Sequence, residues 1–132
     1  MRMMAAAAGL VLAGGLAPVA SAETAVLPER PGSAGVGFTD NPAIVDPHPM
    51  AAESFSRTPD DRAVAVHFTT GTPECYGVFA TVTETPQTVS VELHSGTRPE
   101  AVDRACILIA VAGTLDVPLS GPLGDRQVVS VY

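Results

Sequence analysis

The residues with the most definite chemistry in this 132-residue chain are its two cysteines, Cys75 and Cys106. A cysteine nucleophile needs a nearby base or cation that favours the thiolate, whereas Cys75 follows the acidic residue Glu74. In an oxidising compartment two lone cysteines are typically paired. We therefore predict a structural disulfide between Cys75 and Cys106. In the chain-entropy model, a bridge that closes about 32 residues contributes about 3.7 kcal/mol.

Three histidines, His48, His67 and His94, are the residue type most often found as metal ligands. His67 and His94 fall on the outward faces of two predicted strands that would have a third strand between them. Their side chains would then lie about 10 Å apart, which is too far to share one ion. His48 lies in a proline-rich segment before these strands. We therefore expect three surface histidines and no metal site.

Four carboxylates in the predicted strand region are the residue type that hydrolyses glycosidic bonds, in pairs that flank the substrate. The sequence leaves their convergence open, although solvated carboxylates on outer strand faces are the simpler interpretation. A serine nucleophile elbow requires Gly-x-Ser-x-Gly, and residues 94–96 (His-Ser-Gly) resemble it only superficially. We therefore predict a non-enzymatic protein with no catalytic residue and no cofactor. The four carboxylates are Glu74, Glu84, Glu92 and Asp116.

The connection over residues 95–104 offers a different activity. In a small secreted domain with a disulfide, a rigid exposed loop can occupy the active site of a protease. The alternative function is therefore a secreted inhibitor of proteases or other hydrolases. Against it, this loop carries no second bridge to brace it.

The first 22 residues have the pattern of a signal peptide. Arg2 provides a positive charge, residues 5–16 are apolar, and Ala20-Ser21-Ala22 supplies the small residues of a cleavage site after Ala22. The apolar run is too short to span a bilayer, so we expect no transmembrane span in the mature chain. The leader has no terminal cysteine for lipidation. We therefore expect a protein that is secreted, periplasmic or associated with the cell wall.

Composition restricts the partners of the mature chain. Cleavage would leave 110 residues, enough for one small domain. Without Arg2, the mature chain has six arginines and 14 acidic side chains, which gives a formal charge of −8. Nucleic acids and anionic lipid surfaces attract basic patches, so neither is an expected partner. An unknown envelope protein or glycan remains, and we expect a monomer.

Residues 23–54 show no periodicity and contain scattered prolines and glycines. This composition is typical of an extended tail or linker, which is the interpretation we favour. The alternative is that the segment docks along the domain, with Ile44 and Val45 as its anchor. The folded domain is then expected over residues 55–132.

Alternating apolar residues predict five strands in that domain. A continuous apolar run over residues 106–112 is ambiguous between strand and helix, and Ile107, Ile109 and Val111 favour a sixth strand. Thr97 and Glu100 match a capping box, which predicts one or two helical turns over residues 99–104. The five alternating segments are residues 62–69, 76–84, 88–94, 114–119 and 126–131.

The turn signals between these segments predict their arrangement. The first three strands, joined by short turns, form an antiparallel meander. Six short strands in about 75 residues predict a small all-β antiparallel sandwich or open barrel, with one short helical turn and one disulfide. Such a small core is marginal, so a bridge from the start of the second strand to the segment 106–112 would supply much of the stability.

Residues 75–77 (Cys-Tyr-Gly), 96–101 (Gly-Thr-Arg-Pro-Glu-Ala) and 122–126 (Pro-Leu-Gly-Asp-Arg), at this spacing, carry a resemblance. Over roughly residues 64–131 the chain resembles a group of small secreted or lipid-anchored proteins of mycobacteria and related actinobacteria. The resemblance implies an envelope-associated β domain with one disulfide, and it carries over no catalytic residues. Export, small size, a long tethering tail and the absence of an assembled catalytic constellation lead us to expect a non-enzymatic binding or interaction module of the bacterial cell envelope.

Overall fold

The computed structural model describes residues 9, 14, 22–32 and 35–132 of the chain. The predicted signal peptide, residues 1–22, lies outside the described residues apart from Gly9, Gly14 and Ala22, and stays a prediction. The prediction of an all-β fold is confirmed, with nine strands and one 3₁₀ turn among the described residues. The strands are Thr24–Val26 (β1), Val36–Phe38 (β2), Val45–Pro49 (β3), Ser54–Arg57 (β4), Ala63–Thr70 (β5), Tyr76–Glu84 (β6), Thr88–Thr97 (β7), Val111–Pro118 (β8) and Gln127–Val131 (β9), and the 3₁₀ turn is Pro99–Ala101.

The strands form two sheets packed face to face. In sheet I, β7 has β6 along one side, and β9 and β3 along the other, with β1 outside β9. Sheet II has the order β2-β8-β5-β4. The pairs β2–β8 and β7–β9 are parallel, and the other described pairs are antiparallel. The sandwich is therefore mixed, with a predominance of antiparallel pairs.

The core lies between the sheets, where the period-two pattern predicted it. Val64, Val66 and Phe68 of β5 point inward and are at most 1% exposed. Val91 and Leu93 of β7 face them from sheet I and are fully buried. These side chains belong to one continuous cluster to which both sheets contribute. Burial of a side chain of this size contributes about 1.5–3 kcal/mol.

Residues 23–54 are part of the fold, and the expectation of a linker is wrong. They form β1, β2 and β3 and the first residue of β4, and they bury Leu27, Ile44 and Ala52 to 5–6% exposure. Pro47 and Pro49 lie within β3, which pairs with β7 on one side only, and such an edge position tolerates proline. The docking alternative correctly named Ile44 as the anchor. The strands are too short to display a period.

This N-terminal segment covers an edge of each sheet. After β1, Pro28 accepts a hydrogen bond from the Phe55 amide at 3.0 Å, and Arg30 donates to the Phe55 carbonyl at 2.7 Å, so the segment continues onto β4. After β2, the Asn41 amide donates to the Val78 carbonyl at 2.9 Å, so the segment reaches β6. Uncovered strand edges can pair with other chains, and residues 24–30 and 36–41 cover part of the edges of both sheets.

The predicted meander of β5, β6 and β7 is wrong, because β5 and β6 belong to different sheets. Strand β5 pairs with β4 and β8 in sheet II, while β6 pairs with β7 in sheet I. The connection over residues 71–75 crosses from one sheet to the other. A turn signal in the sequence marks such a connection but does not distinguish a hairpin from a crossing.

The predicted disulfide between Cys75 and Cys106 is confirmed, with a Cα–Cα distance of 6.2 Å. It ties the crossing between β5 and β6 to the segment before β8. The predicted strand over residues 106–112 is wrong, since β8 starts at Val111. The β5–β8 ladder ends at the pair of Thr70 with Val111, so residues 106–110 extend beyond the last residue of β5 and have no partner strand.

The predicted helical turns over residues 99–104 shorten to the 3₁₀ turn Pro99–Ala101. Thr97, which was expected to cap a helix, is the last residue of β7, and the turn has no side-chain cap. Pairing of Thr97 with Tyr76 of β6 therefore overrides the local capping signal.

Candidate functional site

The most prominent concave feature among the described residues is an opening between the sheets, along β6 of sheet I and β8 of sheet II. We call it the slot. Its volume is about 660 Å³, within the usual range of ligand pockets. Its lining residues include Phe38, Asp40, Ala80, Val82, Leu115 and Asp116.

The upper end of the slot is formed where the N-terminal segment changes sheets. Strand β2 pairs with β8 only as far as the pair of Phe38 with Leu115. The chain then crosses to β6, where the carboxylate of Asp40 accepts a hydrogen bond from the Ala80 amide at 2.9 Å. Below this crossing, the β6 and β8 edges face each other without a described strand between them, and the slot lies in that gap.

Two residues beyond Val82, at what we call the lower end of the slot, Glu84 links the two sheets as the last residue of β6. Its carboxylate accepts hydrogen bonds from the Ser120 amide at 2.8 Å and from the Arg126 guanidinium at 3.2 Å. Both the amide of Ser120 and the guanidinium favour the charged form, so the pKa of Glu84 lies below its ordinary value. Arg126 also donates to the Pro122 carbonyl at 2.7 Å. This network holds the turn after β8 against the end of β6.

The slot has an apolar floor and an acidic rim. Leu115 of β8 is buried, and Ala80 and Val82 of β6, which share the inward face with the core residues, remain half-buried because the gap exposes them. Asp40 and Asp116 are exposed at the rim, and no arginine or histidine lies among the described lining residues. The arrangement therefore suits a ligand with apolar groups and a positive charge.

A smaller cavity of about 330 Å³ lies on the other side of residues 38–40. Arg98 forms part of its wall and donates to the Pro73 carbonyl at 3.0 Å, and its Nε lies 3.4 Å from the Glu100 carboxylate. The cation is therefore already engaged at this cavity. Asp40 lines both cavities, and the smaller one differs from the slot in having a basic side chain in its wall.

The loop predicted for protease inhibition, residues 95–104, is only partly an exposed connection, because its first three residues belong to β7. Ser95 and Gly96 are buried within β7, so the exposed segment starts after Thr97 and continues to Ala110. It includes an exposed apolar stretch, Ile107, Leu108 and Ile109, at 61%, 91% and 52%. The Cys75–Cys106 bridge holds this apolar stretch at its base.

The three histidines are not brought together, and His67 is not a surface residue. Its Nε2 lies 3.1 Å from Ser56 Oγ, and it is 9% exposed because β5 is flanked by β4 and β8. This burial lowers the pKa of His67. His94 belongs to sheet I, where it stacks on Phe79 at 4.8 Å between ring centroids. His48 is exposed on β3. Within residues 22–32 and 35–132, no group of three or more potential ligands could hold a metal ion.

The four carboxylates considered for hydrolysis do not converge either. Glu84 is engaged by Arg126 at the lower end of the slot. Glu92 lies 3.6 Å from the His94 ring on the outer face of sheet I, whereas Asp116 is exposed on sheet II. Glu74 precedes β6 in the crossing. Among the described residues, these four carboxylates therefore do not form one cluster.

The alternation over residues 76–84 correctly predicted a strand, but it did not predict that Ala80 and Val82 line an opening. Asp40 was missed altogether, because it falls in the segment expected to be a linker. The local sequence around Asp40 carries no motif that signals its contact with Ala80, which is 40 residues away.

No helix among the described residues is long and apolar enough to cross a membrane. Comparison with known proteins gives no match to the chain, whether to a family model, a curated protein or a solved structure.

Proposed function

We propose that this chain is a secreted, non-enzymatic binding module of the bacterial cell envelope, and that the slot is its ligand-binding site. The single observation that carries the proposal is the apolar floor of the slot, which lies between two links across the sheets, one through Asp40 and one through Glu84. The N-terminal sequence pattern and the disulfide support export. The resemblance to small actinobacterial envelope proteins supports a partner in the envelope, either a protein or a glycan.

The slot supports recognition because its walls are fixed before any ligand arrives. Its upper end is hydrogen-bonded across the sheets through Asp40, and its lower end through Glu84 and Arg126. A pre-formed site loses little conformational entropy on binding. Ala80 and Val82 keep part of their apolar surface exposed in this site, and a ligand would remove that surface from water.

The test is capture of partners from an envelope extract with the immobilised, oxidised protein. The decisive variant is Val82→Trp, which adds a large side chain on the slot side of β6. The matched control is Thr83→Trp, which adds the same side chain at the neighbouring exposed position. We expect a protein or glycan that wild type and Thr83→Trp retain and that Val82→Trp does not.

Two results would contradict the proposal. The first is a partner that Val82→Trp retains as well as wild type does, because the slot would then be irrelevant to binding. The second is the absence of any partner that separates wild type from Val82→Trp. Thermal melting of both variants establishes that they are folded before capture.

The second candidate function, a secreted protease inhibitor, is favoured by the loop of Ile107, Leu108 and Ile109. Leu108 is 91% exposed, two residues after the disulfide-bonded Cys106. A bridge beside an exposed apolar residue restrains the loop, and a restrained loop binds with a smaller entropic cost. Leu108 would then enter the apolar specificity pocket of a subtilisin-like enzyme.

Inhibition kinetics test this second candidate. We expect wild type at micromolar concentration to slow a subtilisin-like protease, and Leu108→Ala to weaken the inhibition about tenfold or more. Val102→Ala is the control, since Val102 is exposed at 53% outside the apolar stretch. Unchanged proteolysis in the presence of wild type, against both subtilisin-like and trypsin-like enzymes, would eliminate the inhibitor.

A further inference from the structure

The β6 edge presents free backbone groups to the slot. The Val78 carbonyl and the Ala80 amide both bond to the N-terminal segment rather than to β7. Backbone groups of successive residues in a strand point to opposite sides, so those of alternate residues point to the same side. The amide and carbonyl of Val82 therefore point away from β7, as the Val78 carbonyl and the Ala80 amide do. The Ala80 carbonyl points there as well. On this side of β6, away from β7, no described strand pairs with Ala80 or Val82.

The register of sheet I supports this alternation. Val82 is opposite Val91 and Ala80 is opposite Leu93 in the β6–β7 ladder. The Leu93 carbonyl accepts a hydrogen bond from the Met50 amide at 2.8 Å, on the side of β7 away from β6. The pairs that include Ala80 and Val82 are therefore the non-hydrogen-bonded pairs of the ladder, which leaves their outer backbone groups for another strand.

The chain itself shows how an extended segment occupies this gap. Residues 36–38 pair with β8 in parallel, and two residues later Asp40 bridges to Val78 of β6, also in parallel. One extended segment thus contacts the facing edges of both sheets. Asp40 takes the place of a backbone acceptor for the Ala80 amide. The slot continues this line downward, past the last contact of the N-terminal segment.

From this geometry we propose that the ligand of the slot is an extended peptide segment that adds to the edge of β6 as a further strand. The proposal rests on the slot being the binding site. The main chain of the peptide would bond to Val82 and to the Ala80 carbonyl, and alternate side chains would enter the apolar floor between β6 and β8. Both contributions are required, because backbone pairing gives affinity and the floor selects side chains.

Charge complementarity specifies the peptide further. Asp40 and Asp116 are exposed at the rim, and the described lining residues supply no cation. The peptide therefore carries an arginine or lysine beside its apolar, β-branched residues. A peptide fits the slot better than a glycan does, because Phe38 is the one aromatic side chain in the described lining and sugars are typically bound by aromatic stacking.

The experiment is selection of random heptapeptides displayed on phage against the immobilised, oxidised protein, followed by binding of the selected peptides to wild type and to Val82→Trp. We expect enriched peptides with alternating apolar residues and at least one arginine or lysine. Synthetic copies are then measured by isothermal titration calorimetry. Methylation of the backbone nitrogens that pair with β6 should weaken binding about tenfold, whereas methylation of the alternate nitrogens should change it less than about twofold.

A substitution at the acidic rim tests the role of charge in peptide binding. Asp116→Asn removes one carboxylate that makes no described hydrogen bond, so the fold should be unaffected. The substitution should weaken the binding of a basic peptide about three- to fivefold at low salt and less at high salt. The same peptide with its arginine replaced by glutamine should bind wild type and Asp116→Asn equally.

The outcomes separate this proposal from the binding module itself. If partners from the envelope extract depend on Val82 but selection enriches no peptide, or if backbone methylation has no effect, the strand addition is wrong and the slot remains a site. If the selected peptides bind Val82→Trp as tightly as wild type, the slot is not the site and both proposals fail. The methylation test uses wild-type protein and holds even if Val82→Trp does not fold.

Discussion

Ile44 fixes the N-terminal segment to the sandwich, and the fit around it can be tested by mutation. It is 6% exposed and lies over two glycines, Gly77 of β6 and Gly96 of β7. A Cβ at Gly77 would be 2.7 Å from Ile44 Cγ2, and one at Gly96 would be 3.1 Å from Ile44 Cδ1. Ile44 therefore fills space that the absence of side chains at Gly77 and Gly96 creates.

The expected loss in the free energy of unfolding follows from the groups that Ile44→Ala removes. Three buried carbon groups, at about 0.8 kcal/mol each, give about 2.4 kcal/mol of lost transfer free energy. Neither glycine has a side chain that could move into the cavity, so the total loss should be about 3–4 kcal/mol. For a domain of this size, that lowers the melting temperature by roughly 12–16 °C.

A double-mutant cycle with Gly77→Ala tests the geometry. Gly77→Ala alone should cost about 1–3 kcal/mol, because its new methyl group meets Ile44 Cγ2. In the Ile44→Ala background that atom is gone, and the methyl group instead fills part of the cavity. The loss in the double variant should therefore be smaller than the sum of the single losses by at least about 1 kcal/mol.

Urea unfolding at 25 °C, followed by circular dichroism, measures all three variants. Val26→Ala is the control within the same segment, since Val26 is 61% exposed, and its effect should stay within about 0.5 kcal/mol. A loss below about 1 kcal/mol for Ile44→Ala would show that the segment is not packed on the domain. Additive single losses would refute the contact of Ile44 with Gly77.

Three further predictions concern the bridge, the lower end of the slot and a close backbone approach. Cys106→Ser should lower the free energy of unfolding by about 3.7 kcal/mol, measured against the oxidised wild type; equal stability would show that the bridge is dispensable. The pKa of Glu84 is lowered from 4.5 in the fold, so its stabilising effect is present above about pH 4.5 and is lost as the pH falls further. Glu84→Gln should therefore flatten the decline in stability between about pH 5 and pH 3, and an unchanged pH profile would count against the network. Gly96→Ala places a Cβ 2.7 Å from the Val45 carbonyl oxygen and should cost about 1–3 kcal/mol, whereas Gly121→Ala, with no atom within 4 Å of its Cβ, should be nearly neutral in the same melting assay.

The alternating strands were predictable because one face of each is buried. Val64, Val66 and Phe68 repeat at period two, and β5 lies within a residue of its predicted span. The bounds of β6 agree with the prediction at both ends. Burial of one face imposes this pattern on the sequence wherever a strand is long enough to show it.

The N-terminal strands were not predictable in this way because their signals are not local. Strands β1 and β2 have three residues each, which is too short for a period. Their stability comes from pairing with β9 and β8, far along the chain. At residues 106–110 the error was the opposite one: the apolar, β-branched run predicted a strand, but the segment has no partner strand and does not form one. Pairing partners, rather than composition, decide both cases.

The slot combines a predictable part with an unpredictable one. The inward direction of Ala80 and Val82 follows from the alternation of β6. The opening beside them exists because the N-terminal segment leaves β8 after Phe38 and reaches β6 at Asp40. No sequence motif near residue 40 predicts that crossing. A binding site between these sheets could therefore be inferred only from the three-dimensional structure.

Hydrogen exchange at the Val82 amide, followed by NMR, tests the strand-addition account most directly. In the free protein, the Val82 amide should exchange much faster than the amides of Thr81 and Thr83, which the ladder directs toward β7. A saturating selected peptide should slow the Val82 amide at least about tenfold and leave its two neighbours nearly unchanged. Protection of Val82 in the free protein, or unchanged exchange with the peptide bound, would contradict the account.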